Sequence, residues 1–306
     1  MRIGFDIGGT KIETRVLDLN GEEVFRNRVA TPKSYELFIE AILESVQAAE
    51  KAVGVRCSVG IGLPGAVCPH TGRMKNANCT FLNGHDLKAD LESKLGRPVY
   101  IENDANCFVL SEAVDGAGKG KKVVFGAVLG TGCGGGLVVN QQLITGCNAI
   151  AGEWGHNPLP NFSPEVDGPA RTCYCGQQNC IESFISGTGF SRGFNQQHGT
   201  DYSAPQLIEL SQQGDEKARH AYRMLVEQIA RSVASIINVI DPDTFVIGGG
   251  MSNVPGLVAD VKLETPKYLF SPQAIVDVRP AVFGDASGVR GAAWLAPESE
   301  EASLCS

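Results

Sequence analysis

The sequence offers little that would suit it to a membrane, to nucleic acid or to a secreted disulfide scaffold. Its longest apolar run lies around Val123 to Leu129, far short of the roughly 18–20 residues that a membrane-spanning helix needs. Cationic side chains are in deficit, 26 Lys and Arg against 34 Asp and Glu, for a net charge of −8. No basic face is therefore expected that could hold a polyphosphate backbone, and an anionic ligand has to be met by local groups. The opening residues, Met1-Arg2-Ile3-Gly4-Phe5-Asp6, set an acid and a glycine where a secretory signal needs an unbroken apolar run, so a cytoplasmic protein is expected. The ten cysteines are mostly dispersed singly, at Cys57, Cys68, Cys79, Cys107, Cys133, Cys147 and Cys305, unlike the framework of a small secreted domain. What the chain does have is 306 residues and 43% hydrophobic content, enough for two lobes of ordinary size and incompatible with global disorder.

The hydrophobic pattern alternates between strand and helix. Arg2 to Phe5, Ile12 to Asp18 and Val24 to Val29 read as three strands, with Asn20-Gly21 as a hairpin turn. From Ser34, the residues Leu37, Phe38, Ala41, Ile42, Ser45, Val46 and Ala49 recur with helical spacing. Val59 to Leu63 reads as a buried strand. Leu87, Leu91 and Leu95 mark a helix after an N-cap at Asp86, and Val99 to Glu102 is a strand running into a helix over Ala105 to Ala113. A second opening follows at Val123 to Leu129, a Gly-rich turn, then Leu137 to Val139. It echoes the start of the chain and suggests a duplicated lobe, with the boundary placed near residue 118. Helices are expected at Ala204 to Gln213 and Asp215 to Ile240, then a strand at Thr244 to Ile247, the turn Gly248-Gly249-Gly250, and a frayed tail after Pro297.

Two familiar phosphate motifs fail on their downstream residues. Gly9-Thr10-Lys11 runs into the strand pattern Ile12-Glu13-Thr14-Arg15-Val16, whereas a Walker A lysine opens a helix. Gly130, Gly132 and Gly135 satisfy G-x-G-x-x-G, but Leu137-Val138-Val139 is again strand-like, and a dinucleotide fingerprint needs a helix N-terminus there. The surviving reading is a pair of Gly- and Thr-bearing hairpin turns that present backbone N–H groups to phosphates. Asp6, ending the first strand, is placed to hold Mg²⁺ through water. Each turn taken alone is also consistent with an ordinary tight hairpin.

One group of cysteines clusters. Cys173-Tyr174-Cys175 and Cys180 form a C-x-C-x₄-C run, with His156 upstream across a proline-rich loop. Three thiolates and an imidazole make up the ligand set of a closed structural zinc site; the alternative is three unrelated thiols. Glu153 and Glu182 flank the run, and a metal tying His156 to Cys180 would draw both carboxylates toward one wall, where they could grip vicinal hydroxyls. Asp104 follows Asn103 at a strand-to-helix junction, a place for chemistry in α/β sheets but, for an Asp taken alone, more often one for a helix N-cap.

Taken together, Gly4-Phe5-Asp6-Ile7-Gly8-Gly9-Thr10-Lys11, Glu102-Asn103-Asp104-Ala105-Asn106, Gly130 to Gly136, Glu153-Trp154-Gly155-His156, Cys173 to Glu182 and Gly248 to Gly250 resemble the ROK family of bacterial sugar kinases along essentially the whole chain. The resemblance implies an α/β, actin-like (ribonuclease-H-like) ATPase fold of two lobes, residues 1–118 and 119–306, with a cleft between them for ATP and a hexose. The segments at Lys75 to Asn78, Ala151 to Pro160, Ser183 to Phe190 and Gly288 to Trp294 look most like the fructokinase or manno(fructo)kinase branch. That branch converts fructose and ATP to fructose 6-phosphate and ADP, with mannose as a second substrate; N-acetylglucosamine kinase and glucokinase are the rivals.

Carried over by position, Asp104 is the general base and Asn103 orients the sugar. Glu153, His156 and Glu182 match sugar-hydroxyl ligands, with Asn78 a further one. Gly8, Gly9, Thr10 and Lys11, with Asp6, match the first phosphate turn. Thr131, Gly132, Cys133, Gly134, Gly135 and Gly136 match the second, and Gly248, Gly249 and Gly250 the adenosine side. His156, Cys173, Cys175 and Cys180 match the zinc ligands. Asn179 stands where the family run has Gly, and Asn tolerates a left-handed backbone. An Asp with the ordinary pKa of about 3.9 is ionised at neutral pH, so Asp104 is expected to need no tuning. The resemblance also implies a homodimer. Some members of the family are sugar-responsive repressors with an added N-terminal DNA-binding segment, but here the phosphate motif starts at Gly4. A non-catalytic sugar binder would have no use for Asp6, Asp104 and three Gly turns, so a kinase is expected.

Overall fold

The computed structural model describes residues 1–297, and both the tail expected to fray and Cys305 lie outside them. The chain forms two compact units. One comprises Met1–Lys119, Gln141–Ala151 and the segment from Asp285 onward; the other comprises Gly120–Asn140 and Gly152–Gly284. The chain passes from the first to the second at Lys119–Gly120, near the expected boundary, and afterwards returns twice to the first.

In the first unit, the strands Arg2–Ile7, Lys11–Leu17 and Glu23–Ala30 form an antiparallel meander. Parallel strands Ser58–Leu63 and Val99–Asn103 extend it on the far side of Arg2–Ile7. Parallel strands are covered on both faces, and Ser58–Leu63 is accordingly buried at every position. The helix Tyr35–Val53 starts where the Ser34 side chain accepts from the Leu37 amide and ends at Gly54, whose φ of 73° is left-handed. Its core face is Phe38, Ile39, Ile42, Val46 and Ala49. Leu37, expected on that face by spacing, is instead 56% exposed, because Ile39 lies one step round the helix and completes the stripe.

The helix Ser287–Trp294 belongs to this unit and was not expected from the sequence. It packs at backbone contact. A Cβ on Gly291 would stand 1.6 Å from the Cys107 carbonyl oxygen, and one on Gly4 would stand 2.0 Å from that of Val289. Only glycine allows helix, strand and the Asp104–Val114 helix to meet this closely.

The second unit repeats the opening. Val123–Leu129 and Cys133–Val139 pair antiparallel, and Thr244–Gly248 then adds parallel to Val123–Leu129, with Val278–Pro280 beyond it. The strand that excluded a dinucleotide fingerprint is present and begins inside the glycine run, at Cys133. Phe125, Trp154 and Phe245 form an aromatic cluster in the core, with ring centroids 5.1–5.9 Å apart. The long helix Glu216–Ile240, capped by Asp215, buries Leu225, Ile229, Val233 and Ile237 against the same core. No helix among the described residues is long and apolar enough to cross a membrane.

Candidate functional site

In the first unit the chemistry gathers at the C-terminal ends of the strands. Asp6 is the fifth residue of the first strand and pairs across the sheet with Glu13. The turn after it is closed by the Gly8 amide donating to the Lys11 carbonyl at 2.9 Å, and the Thr31 hydroxyl donates to the Gly8 carbonyl at 2.7 Å. Gly9, Thr10 and Lys11 are left exposed at its tip. Glu13 is buried and salt-bridged to Arg15, Arg26 and Arg28, so this acid is spent on structure.

The helix cap at the next junction is Asn103 rather than Asp104. Asn103 Oδ1 accepts from the Ala105 amide at 2.9 Å, and its Nδ2 donates to the Gly65 carbonyl at 3.1 Å. Asp104 is the first helical residue, and its Oδ1 shares the Ala105 amide at 2.9 Å. One residue earlier, Glu102 Oε1 accepts from the Asn103 amide at 3.1 Å and from Asn106 Nδ2 at 3.2 Å. The segment carrying Asn78 is held close by. Asn83 bonds both backbone groups of Ala77, at 2.9 and 3.2 Å, and Ala77 packs on Gly65, whose carbonyl Asn103 holds.

The expectation of an untuned Asp104 needs correction. Its side chain reaches solvent but is largely surrounded by protein, and desolvation pushes its carboxyl above the ordinary Asp range, against hydrogen bonds from Ala105 and Asn103 that favour the anion. Asp6 is pushed up to about 6, by burial first and then by the charges of Asp104 and Glu13. A buried carboxylate raised further by the charge of a neighbouring one marks a site short of positive charge, the setting in which a divalent cation binds.

The second unit holds the remaining residues. Trp154 is buried, and its indole N–H donates to the Gly134 carbonyl at 2.9 Å, which fixes Glu153 and His156 on either side of it. Two short antiparallel contacts, Pro158 with Cys180 and Thr172 with Gln178, fold the cysteine run back toward His156. Asn179 adopts φ 57°, the left-handed conformation expected there, and its side chain also accepts from the Arg171 amide at 2.8 Å.

The donor atoms of His156, Cys173, Cys175 and Cys180 all lie within 4.8 Å of one another. His156 Nδ1 is 3.6 Å from Cys173 Sγ, and Cys175 Sγ is 3.6 Å from Cys180 Sγ. Tetrahedral zinc with Zn–S of about 2.3 Å and Zn–N of about 2.0 Å requires edges of roughly 3.5–3.8 Å. The residues fit the ion in number, chemistry and spacing.

Glu182 connects this cluster to the second glycine turn. Its Oε2 accepts from the Cys133 amide at 2.9 Å and lies beside Gly132. The Cys133 amide, expected to face phosphate, is therefore engaged by a carboxylate. Thr131 and Gly130 instead face a cavity of about 760 Å³, which is also lined by Gly187, Thr188, Gly250, Met251 and Asn253. Ala204, Pro205, Ile208, Val254 and Pro255 supply an apolar wall to it, with Glu209 and Gln212 at its polar side. Gly249 makes the turn that frames it: φ is 79°, and a Cβ there would meet the Leu129 carbonyl oxygen at 2.6 Å. The helix Gly187–His198, capped by Ser186, begins at this cavity with the Gly187 amide on the Gly130 carbonyl at 2.8 Å. Sequence reasoning missed this wall; the run Ser186-Gly187-Thr188-Gly189, an N-cap followed by small residues, was the available signal.

The model of the ROK family matches residues 2–299. The chain is 42% identical over 299 residues to an N-acetyl-D-glucosamine kinase of Escherichia coli, covering 96% of this chain and 99% of that one. Among solved structures it resembles a ROK hexokinase from Thermus thermophilus, with TM-score 0.87, 30% identity and 99% of both chains covered. It also resembles a ROK family glucokinase from Streptomyces griseus, solved with glucose and AMPPNP, with TM-score 0.73, 30% identity and 96% and 98% covered. The chain belongs to the ROK family of sugar kinases, and its α/β units carry the actin-like ATPase fold of that family.

Proposed function

We propose that this ATP-dependent ROK sugar kinase phosphorylates N-acetyl-D-glucosamine at its primary hydroxyl. The observation that carries the reading is the 42% identity, over nearly the full length of both chains, with an enzyme named for that substrate. It favours the rival of the fructokinase assignment that motif resemblance suggested. The complex of the Streptomyces griseus relative with glucose and AMPPNP supports a pyranose and ATP as the pair of ligands. Cytoplasmic ATP and a thiol-rich metal cluster suit a reducing compartment.

Asp104 accepts the proton of the attacking hydroxyl, and its raised pKa makes its carboxylate a better base than an ordinary one. Asn103 and Asn78 orient the sugar. Glu153 and Glu182 accept from its ring hydroxyls, and His156 stands between the sugar and the metal cluster. The Gly8 to Lys11 turn and the second glycine turn at Gly130 and Thr131 hold phosphates, and the cavity beside Gly250 takes the adenosine. Magnesium bound with ATP neutralises the phosphate charge, and Asp6 is the residue that would hold it through water. His156, Cys173, Cys175 and Cys180 would hold zinc, which would fix the loop bearing Glu153.

The test is to incubate the protein with Mg-ATP and N-acetylglucosamine and to locate the phosphate by phosphorus NMR and mass spectrometry. A 6-phosphate is expected from the wild type. Asp104→Asn should bind the sugar but turn over roughly 10²- to 10⁴-fold more slowly, the usual worth of a general base. Near-normal turnover in that variant would remove Asp104 from the base role.

A further inference from the structure

The cavity beside Gly250 has a direction. Its Gly130 and Thr131 end abuts the start of the helix Gly187–His198, where a Cβ built on Gly187 would stand 3.2 Å from the Gly130 carbonyl oxygen and 3.7 Å from Ala204 Cβ. The helix Ala204–Gln213 begins at this end, and Ala204, Pro205, Ile208, Glu209 and Gln212 line the cavity as one continuous helical face. At 1.5 Å per residue, Glu209 lies about 7.5 Å along the helix from Ala204. Phosphates held at Gly130 and Thr131 leave the base to the far end, where Ile208, Val254 and Pro255 supply apolar surface for its faces.

Glu209 is the one charged side chain among the described residues that line this cavity. An acid is an unfavourable neighbour for the phosphates of a nucleotide, so its place is at the end away from them, opposite a donor on the ligand. Gln213 Nε2 donates to Glu209 Oε1 at 3.0 Å, which steadies the carboxylate and leaves Oε2 without a partner among the described residues. A carboxylate only accepts. The donors of adenosine are the ribose hydroxyls, next to the phosphates, and the N6 amine on the outer edge of the base. The position of Glu209 along the helix favours the amine. Guanine and hypoxanthine carry an oxygen acceptor at that position, and a carboxylate facing it would set two acceptors against each other.

We propose that Glu209 is the specificity-determining residue for the nucleotide base, its free carboxylate oxygen accepting from the N6 amine of adenine and disfavouring purines with an oxo group there. This rests on the reading of the cavity as the adenosine site and adds to it the residue that tells ATP from GTP or ITP.

The experiment is calorimetric titration of ADP and of inosine diphosphate, with magnesium and without sugar, into wild type, Glu209→Ala and Glu209→Gln. Both substitutions keep a good helix former on the helix surface. Wild type should prefer ADP. In Glu209→Ala, Kd for ADP should rise about five- to tenfold with loss of the hydrogen bond, while that for inosine diphosphate stays level or falls, so that the ratio collapses. Glu209→Gln should recover most of the ADP affinity and also admit inosine diphosphate, because its amide both accepts and donates. An equal proportional loss of both nucleotides in Glu209→Ala would overturn the proposal by placing the carboxylate on the ribose. Weaker binding of inosine diphosphate alone would overturn it too, since the carboxylate would then serve the N1–H of an oxo purine. Hydrogen exchange of Ala204–Gln213 in the wild type separates the underlying reading. Protection by ADP with an unchanged ADP preference in Glu209→Ala would overturn the proposal alone, and no protection would overturn the adenosine site together with it.

Discussion

Replacing Asp6 by Asn should cost the enzyme its activity and stabilise its first unit, with a pH dependence set by one carboxyl. Asp6 titrates at about 6 in the folded protein against 3.8 ordinarily, pushed up by burial and then by the charges of Asp104 and Glu13. Above pH 6 the side chain is ionised in both the folded and unfolded states, and the folded state carries the whole penalty. A shift of about two units at 1.36 kcal/mol each sets a ceiling of about 3 kcal/mol, and the solvent that reaches this half-buried group reduces it toward about 1.5 kcal/mol. As pH falls through 6, the folded state takes up a proton before the unfolded state does. The penalty then fades and is gone below about pH 4. Asn carries no charge and escapes this cycle. Asp6→Asn should therefore be more stable than wild type at pH 8 without magnesium, by about 1.5–3 kcal/mol, with the difference shrinking to nothing near pH 4. Because two units need not unfold together, the readout is hydrogen exchange of peptides spanning Arg2–Leu17 across a urea series. A variant less stable than wild type at pH 8, or a difference that does not change with pH, would refute the reasoning.

Three further outcomes are expected. The acid limb of kcat/KM should lie above the pH at which an ordinary Asp titrates, since burial raises Asp104; a limb at or below about pH 4 would show that the group is untuned. Elemental analysis should find about one zinc per chain, and Cys175→Ser should lose both the metal and sugar binding; an active, metal-free preparation would sink the zinc assignment. Gly249→Ala puts a Cβ 2.6 Å from the Leu129 carbonyl oxygen at a φ of 79°, so a cost of about 1–3 kcal/mol is expected, seen as weaker AMPPNP binding at temperatures where the variant is still folded. Unaltered nucleotide affinity there would detach this turn from the adenosine site.

Elements whose side chains repeat with a clear period could be read from the sequence. The Tyr35–Val53 helix is bounded by Ser34 and Gly54, and the two hairpins declare themselves because each glycine run is followed by β-branched residues. The Cys/His cluster was equally plain, since three of its four residues fall within eight positions. What stayed hidden depends on residues distant in sequence. The cavity beside Gly250 draws on Gly130, Gly187, Ala204 and Met251, which share no local pattern. The cap at the junction of Val99–Asn103 with the next helix could have been either of two adjacent residues, and only geometry assigns it to Asn103. Likewise, no spacing rule announces that Glu182 holds the Cys133 amide or that helix Ser287–Trp294 packs on the first unit through Gly291.

The most direct measurement is kcat/KM for ADP release from Mg-ATP with N-acetylglucosamine, glucose, mannose, fructose and N-acetylmannosamine under one set of conditions. N-acetylglucosamine should be the best substrate, glucose weaker, and fructose weaker still. A clear preference for fructose would restore the assignment suggested by motif resemblance and contradict the N-acetylglucosamine reading, and absence of turnover with every sugar would contradict the kinase reading itself.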